Sequence, residues 1–113
     1  PPERSVNFAG RTTLSDLMML LRHARMALSN DSGTMHLGAA LGCPGIAVFG
    51  STDLTVTGPI SAKWSLLYRK QECSPCFRRT CANGICRGLC AITEADVIGE
   101  LKNLCSQYHV VIE

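Results

Sequence analysis

The sequence predicts an α/β fold built on a parallel sheet, and three observations carry that reading. Met26-Ala27-Leu28, Ile46-Ala47-Val48-Phe49 and Ser65-Leu66-Leu67-Tyr68 are apolar runs of strand length, short enough to suit strands covered on both faces. Between the first two lies a small-residue helical segment that ends on Gly and Pro, which completes a βαβ unit with a right-handed crossover. Polar turns follow both runs, Ser29 to Gly33 and Gly50 to Asp53, so two loops fall at one edge of the sheet, where ligands of open α/β folds bind.

The elements follow in order. Pro1-Pro2 opens the chain without an initiator Met, as expected of a piece of something longer, and Val6 to Gly10 reads as a short strand running into a Gly turn. Thr13-Leu14-Ser15-Asp16 has capping-box spacing, and Leu14, Leu17, Met18 and Leu21 then recur at helical spacing, so one face of that helix is expected in the core. Ala24 to Ser29 forms the next strand. The stretch Ser29-Asn30-Asp31-Ser32-Gly33-Thr34-Met35-His36 is where that strand gives way to a helix, Gly33 to Leu41. Asn, Asp and Ser cap helix starts with their side-chain oxygens, and the remaining first-turn amides, aligned with the peptide dipoles, suit a phosphate. Gly42-Cys43-Pro44-Gly45 stops the helix, Ile46 to Phe49 is the following strand, and Ser65 to Tyr68 another. Thr93-Glu94-Ala95-Asp96 repeats the capping box ahead of Val97, Leu101 and Leu104, a terminal packing helix on or beside whose apolar face Cys105 sits as a small hydrophobe. His109 to Ile112 reads as an edge strand or a loose tail.

Composition narrows the function classes. One domain of 113 residues is long enough to bury roughly two-thirds of its unfolded surface. Eleven Lys and Arg against nine Asp and Glu give a net charge of +2, which argues against a nucleic-acid partner. No apolar run approaches the ~20 residues of a membrane span and no charged, apolar and small-residue series reads as a signal peptide, so a cytoplasmic protein is expected. No Gly-x-Gly-x-x-Gly follows a strand, which disfavours a nicotinamide-dependent oxidoreductase.

Residues 73 to 90 form a Cys-rich loop, Cys73-x2-Cys76-x4-Cys81-x4-Cys86-x3-Cys90. Cys73, Cys76, Cys81 and Cys86 at such spacings suit a tetrahedral structural zinc, or iron, although only Cys73 and Cys76 make the usual two-residue hook. Free thiols and disulfides are the competing readings, the latter disfavoured in a reducing compartment. A metal-stabilised interaction module is accordingly the second function class.

The block Ser29 to Leu37 with Ala39 to Gly42, then Val48-Phe49-Gly50-Ser51-Thr52-Asp53 and Gly58-Pro59, resembles the ADP-heptose:lipopolysaccharide heptosyltransferases of glycosyltransferase family 9. Cys73-Ser74-Pro75-Cys76-Phe77 with Cys81 and Cys86 is similar to their heptosyltransferase II branch. The likeness runs from about Phe8 to Leu104 and matches the carboxyl-terminal portion of the second, donor-binding domain of a GT-B arrangement of two Rossmann-like domains. The whole chain, 1–113, is then one partial nucleotide-sugar-binding domain. The resemblance implies inverting transfer of heptose from ADP-heptose to the lipopolysaccharide inner core, with no obligatory metal and with the general base in the other domain, so that no catalytic residue is expected in this chain. It carries donor binding to Asp31, Ser32, Gly33, Thr34 and His36, and places Thr12 near the adenosine. The resemblance also implies a basic residue that helps neutralise the phosphates, at a family position upstream of Pro1. Peripheral association with the inner membrane and a homodimer of the isolated chain are further expectations. Plainer readings stand beside these: Asp31 as a helix cap, His36 as a half-buried histidine, His23 and His109 as surface residues, and Arg78, Arg79 and Arg87 as a solvated basic face or as contacts to anionic lipopolysaccharide.

Overall fold

The computed structural model describes residues 2–111, so the readings of Pro1 and Ile112 lie outside it. Three strands, β1 (Ala27–Asn30), β2 (Gly45–Phe49) and β3 (Trp64–Tyr68), form one sheet in the order β1-β2-β3, and both pairings are parallel. The register sets Leu28 against Ile46 and Asn30 against Val48, then Gly45 against Trp64 and Phe49 against Tyr68, so β1, β2 and β3 all end at one edge. Helices α1 (Leu14–His23), α2 (Gly33–Ala40), α3 (Leu54–Thr57), α4 (Arg87–Cys90) and α5 (Glu94–Gln107) complete the chain after a short 3-10 turn at Pro2–Arg4.

The central strand β2 is apolar on both faces because both are covered. On one face Met35 of α2 meets Ala47, Phe49 and Trp64; on the other Leu104 of α5 meets Ile46 and Leu67. Met35, Ile46 and Phe49 are fully buried, each worth roughly 1.5–3 kcal/mol against exposure, so the three-layer α/β/α packing is anchored at β2. Trp64 occupies a slot cut by two glycines. A Cβ at Gly45 would stand 2.6 Å from the indole and one at Gly38 2.9 Å, while the indole N–H donates to the Cys43 carbonyl at 2.8 Å.

Two helix starts carry the capping boxes that the sequence predicts. Thr13 and Asp16 exchange bonds at α1, and Thr93 and Asp96 do so at α5. Their hydroxyls accept the Asp16 and Asp96 amides, and the carboxylates accept the Thr13 and Thr93 amides at 2.8 Å. Cys105 is buried on α5, as a small hydrophobe should be.

Three expectations are corrected. Val6 to Gly10 is not a strand: it has no neighbouring strand, and Asn7 folds back to accept the Ala9 amide before a turn in which Gly10 takes φ 70°. The strand expected from Ala24 starts at Ala27, and Met26 before it packs on the α5 side. The α1 stripe is only partly covered. Leu21 is buried against Gly38, but Leu14 and Met18 are exposed, because only the carboxyl-terminal end of α1 reaches α2. At the other end, His109 sits in a turn with φ 53° and Val110 donates to the Cys105 carbonyl.

Candidate functional site

The turn between β1 and α2 is built from small polar residues, and each has a separate task. Ser32 is the N-cap of α2 by backbone conformation, yet its side chain makes no capping bond, contrary to expectation; its hydroxyl lies 3.2 Å from that of Ser29. Asp31 does not cap either. Its Oδ2 accepts the Thr57 hydroxyl of α3 at 3.0 Å, which ties the first loop of the edge to the helix that follows the second. The Met35 and His36 amides turn back to the Ser32 carbonyl, whereas the Gly33 and Thr34 amides have no protein acceptor among the described residues. Both residues are exposed, and a Cβ on Gly33 would meet nothing within 4 Å. An uncapped, solvent-facing helix start of this kind offers two donors and the positive end of the α2 dipole to an anion. His36 is exposed one turn into the helix rather than half-buried.

The second loop runs from Gly50 to Asp53. Asp53 caps α3, accepting the Thr55 hydroxyl at 2.7 Å and the Thr55 amide at 2.8 Å, and these two bonds hold its carboxyl below the ordinary value. The Cys-rich segment closes down on this loop. The amides of Cys76 and Phe77 both donate to the Ser51 carbonyl, at 3.0 and 2.8 Å. A Cβ at Gly88 would stand 2.9 Å from the Arg69 carbonyl, so only a glycine allows so close an approach there, and Gly50 lies beside Cys86 Sγ.

Between the two loops and the Cys-rich segment lies a cavity of about 360 Å³. Asn30 and Asp31 contribute from the end of β1, Gly50, Ser51 and Thr52 from the end of β2, and the loop after β3 forms the outer wall. The carboxyl ends of β1 and β2 thus share one crevice, as the sequence predicts.

Of the residues expected at a donor site, Asp31 lines this cavity, and Ser32, Gly33, Thr34 and His36 continue from it along α2 without lining it. Thr12 lies elsewhere, in a broader hollow with Phe8, Arg11, Asp16 and Met19 that shares no residue with the first. Cys73, Cys76, Cys81 and Cys86 all face the cavity, and all seven cysteines are free thiols. Among the described residues no three His, Cys, Asp or Glu side chains are placed to hold an ion. Two participants were not legible beforehand: Thr57, which reaches Asp31 across 26 residues, and Thr52, whose buried hydroxyl has no partner among the described residues. Arg78, Arg79 and Arg87, expected as a basic face, line the cavity.

Residues 2–86 match the family model described as glycosyltransferase family 9 (heptosyltransferase). Lipooligosaccharide heptosyltransferase 2 of Campylobacter jejuni is 30% identical over 105 residues, which are 92% of this chain and 33% of that protein. The enzyme of the same name from Haemophilus influenzae is 38% identical over 65 residues, 58% of this chain and 19% of that one. The solved structure of E. coli ADP-heptose lps heptosyltransferase II superposes with a TM-score of 0.76 at 30% identity, covering 92% of this chain and 28% of that chain. The chain therefore spans about a third or less of the length of the relatives it matches, and its parallel sheet with flanking helices is Rossmann-like. On the family match and the shared fold together, the chain belongs to glycosyltransferase family 9, the heptosyltransferases.

Proposed function

We propose that this chain is the donor-binding part of a heptosyltransferase that moves heptose from ADP-heptose to the lipopolysaccharide inner core. The observation that carries the reading is the Asp31-Ser32-Gly33-Thr34 turn, with its two unpartnered amides at the start of α2. A departing nucleoside diphosphate gains negative charge in the transition state, and fixed backbone donors meet that charge without reorganising. The Gly33 and Thr34 amides take the diphosphate, and the absence of a side chain at Gly33 leaves it room. Asp31, oriented by the Thr57 hydroxyl, keeps its other oxygen for sugar hydroxyls. His36, exposed on the same helix turn, adds a donor beside the phosphates. The transfer inverts the anomeric centre and takes its general base from a partner domain, so the 113-residue polypeptide alone binds donor but does not turn over. It works on the cytoplasmic side, peripheral to the inner membrane that carries the acceptor.

Calorimetry with ADP tests the reading. Ser32→Ala should leave affinity nearly unchanged, because the Ser32 side chain caps nothing, whereas Gly33→Val should abolish binding. The open space around Gly33 means the Val variant keeps the fold, so a loss of binding reports on the ligand. Equal affinity in all three proteins would reduce the turn to a plain helix start.

A further inference from the structure

The cavity beside Asp31 is lined by three guanidinium groups, those of Arg78, Arg79 and Arg87, and by one carboxylate, Asp31 itself. None of the three guanidinium groups forms an ion pair or hydrogen bond among the described residues, where the one salt bridge joins Arg69 to Asp96. The Asp31 carboxylate is already engaged by Thr57. Two further donors point the same way: the Asn30 and Asn83 carboxamides line the cavity without a protein partner. Three like charges around one open crevice repel one another until an anion arrives, the unmet amide donors add hydrogen bonds to it, and a guanidinium binds phosphoryl oxygens through paired N–H groups.

We propose that this cavity is a phosphoryl-binding subsite distinct from the α2 turn, with Arg78, Arg79 and Arg87 as its cationic wall. The bound group is a phosphate ester or diphosphate carried either by the nucleotide or by a phosphorylated saccharide. The Cys-rich segment holds the arginines over the crevice through the Cys76 and Phe77 amides on Ser51 and the close approach of Gly88 to Arg69. The segment thereby supplies positive charge at the edge of the sheet where β1 and β2 end. The inference stands on the charge of the cavity and shares only Asp31 with the donor reading.

The test is titration of inorganic pyrophosphate into the full 113-residue chain, followed by nuclear magnetic resonance of the side-chain amides of Asn30, Gln71 and Asn83, all of which line the cavity, and by calorimetry. The wild type should show those amides shifting, and the triple variant R78Q/R79Q/R87Q should bind pyrophosphate at least about tenfold more weakly, as expected for the loss of charged hydrogen bonds. All three arginines are exposed, so the variant should keep the fold, and the wild-type amide shifts test the site without any variant. Gly33→Val should leave the cavity response intact. ADP and glucose 6-phosphate then separate the sources. Weaker ADP binding by the triple variant assigns the subsite to the nucleotide, and weaker glucose 6-phosphate binding with unchanged ADP assigns it to a phosphorylated saccharide. If pyrophosphate leaves the amides unmoved, or if the triple variant binds every probe as the wild type does, the subsite is refuted whatever Gly33→Val does. Loss of ADP binding in neither variant, with the pyrophosphate response retained, would refute the donor reading alone.

Discussion

Two single residues carry more of this domain than their size suggests, because Gly38 and Gly45 hold open the slot for Trp64. A methyl group at either would sit under 3.0 Å from a ring wedged between α2 and β2, and the ring cannot retreat without leaving the Cys43 carbonyl. Gly45→Ala should therefore destabilise the domain by about 1–3 kcal/mol, the usual range for overpacking, with Gly38→Ala behaving alike. Gly33→Ala, in open space, should be close to neutral. Urea unfolding of the three variants checks this; equal midpoints would mean that the indole moves aside freely. The contrast also shows what is legible at this scale. The Asp31 turn stands out in the sequence because capping residues and Gly cluster there, although the structure uses Ser32 without its side chain and turns Asp31 toward Thr57. The slot for Trp64 cannot be read in advance, since Gly38, Gly45 and Trp64 meet only once the sheet and α2 are assembled.

Among the elements, α1 and α5 were the easiest to place, because each announces its start with a reciprocal Thr and Asp pair. Both boxes make their bonds at the protein surface, so Thr13→Ala or Thr93→Ala should cost about 1 kcal/mol each. The same carboxylates tie stability to pH. Asp16 and Asp96 are held below the ordinary value of 3.8 chiefly by the Thr13 and Thr93 amides, with Arg69 helping Asp96, and Asp53 chiefly by the Thr55 hydroxyl. A carboxyl whose folded pKa is depressed contributes stability that is complete above its unfolded value and disappears as pH falls through the folded one. Melting temperature should accordingly hold from neutral pH down to about 4 and then drop, and the drop should shrink in Asp16→Asn and Asp96→Asn. A flat acid limb in the wild type would contradict it. What misled the reading of elements was pairing. Val6 to Gly10 has strand-like composition but no neighbouring strand among the described residues. Composition records which residues are near in sequence, and a strand depends on a partner from elsewhere.

At the scale of the whole molecule, the layers that were expected are present, but they are unevenly covered. The sheet ends at β1, which has one neighbour, and Leu28 on that strand is 62% exposed. Leu14, Met18, Met19 and Leu20 of α1 are partly exposed as well, a second stretch of apolar surface. An edge strand with unpaired backbone groups beside exposed apolar side chains is the usual route to association. The 113-residue chain should therefore self-associate in solution, and a homodimer joined through the β1 edge is the simplest arrangement that covers it. Since Leu28 is mostly exposed, Leu28→Lys should leave the fold and the ADP affinity intact while placing a charge on that edge, and it should shift the population toward monomer. Light scattering across a dilution series checks both parts: a wild type that is monomeric at the highest concentration would rule out the association, and an associated wild type unaffected by Leu28→Lys would move the contact from the β1 edge to the α1 surface.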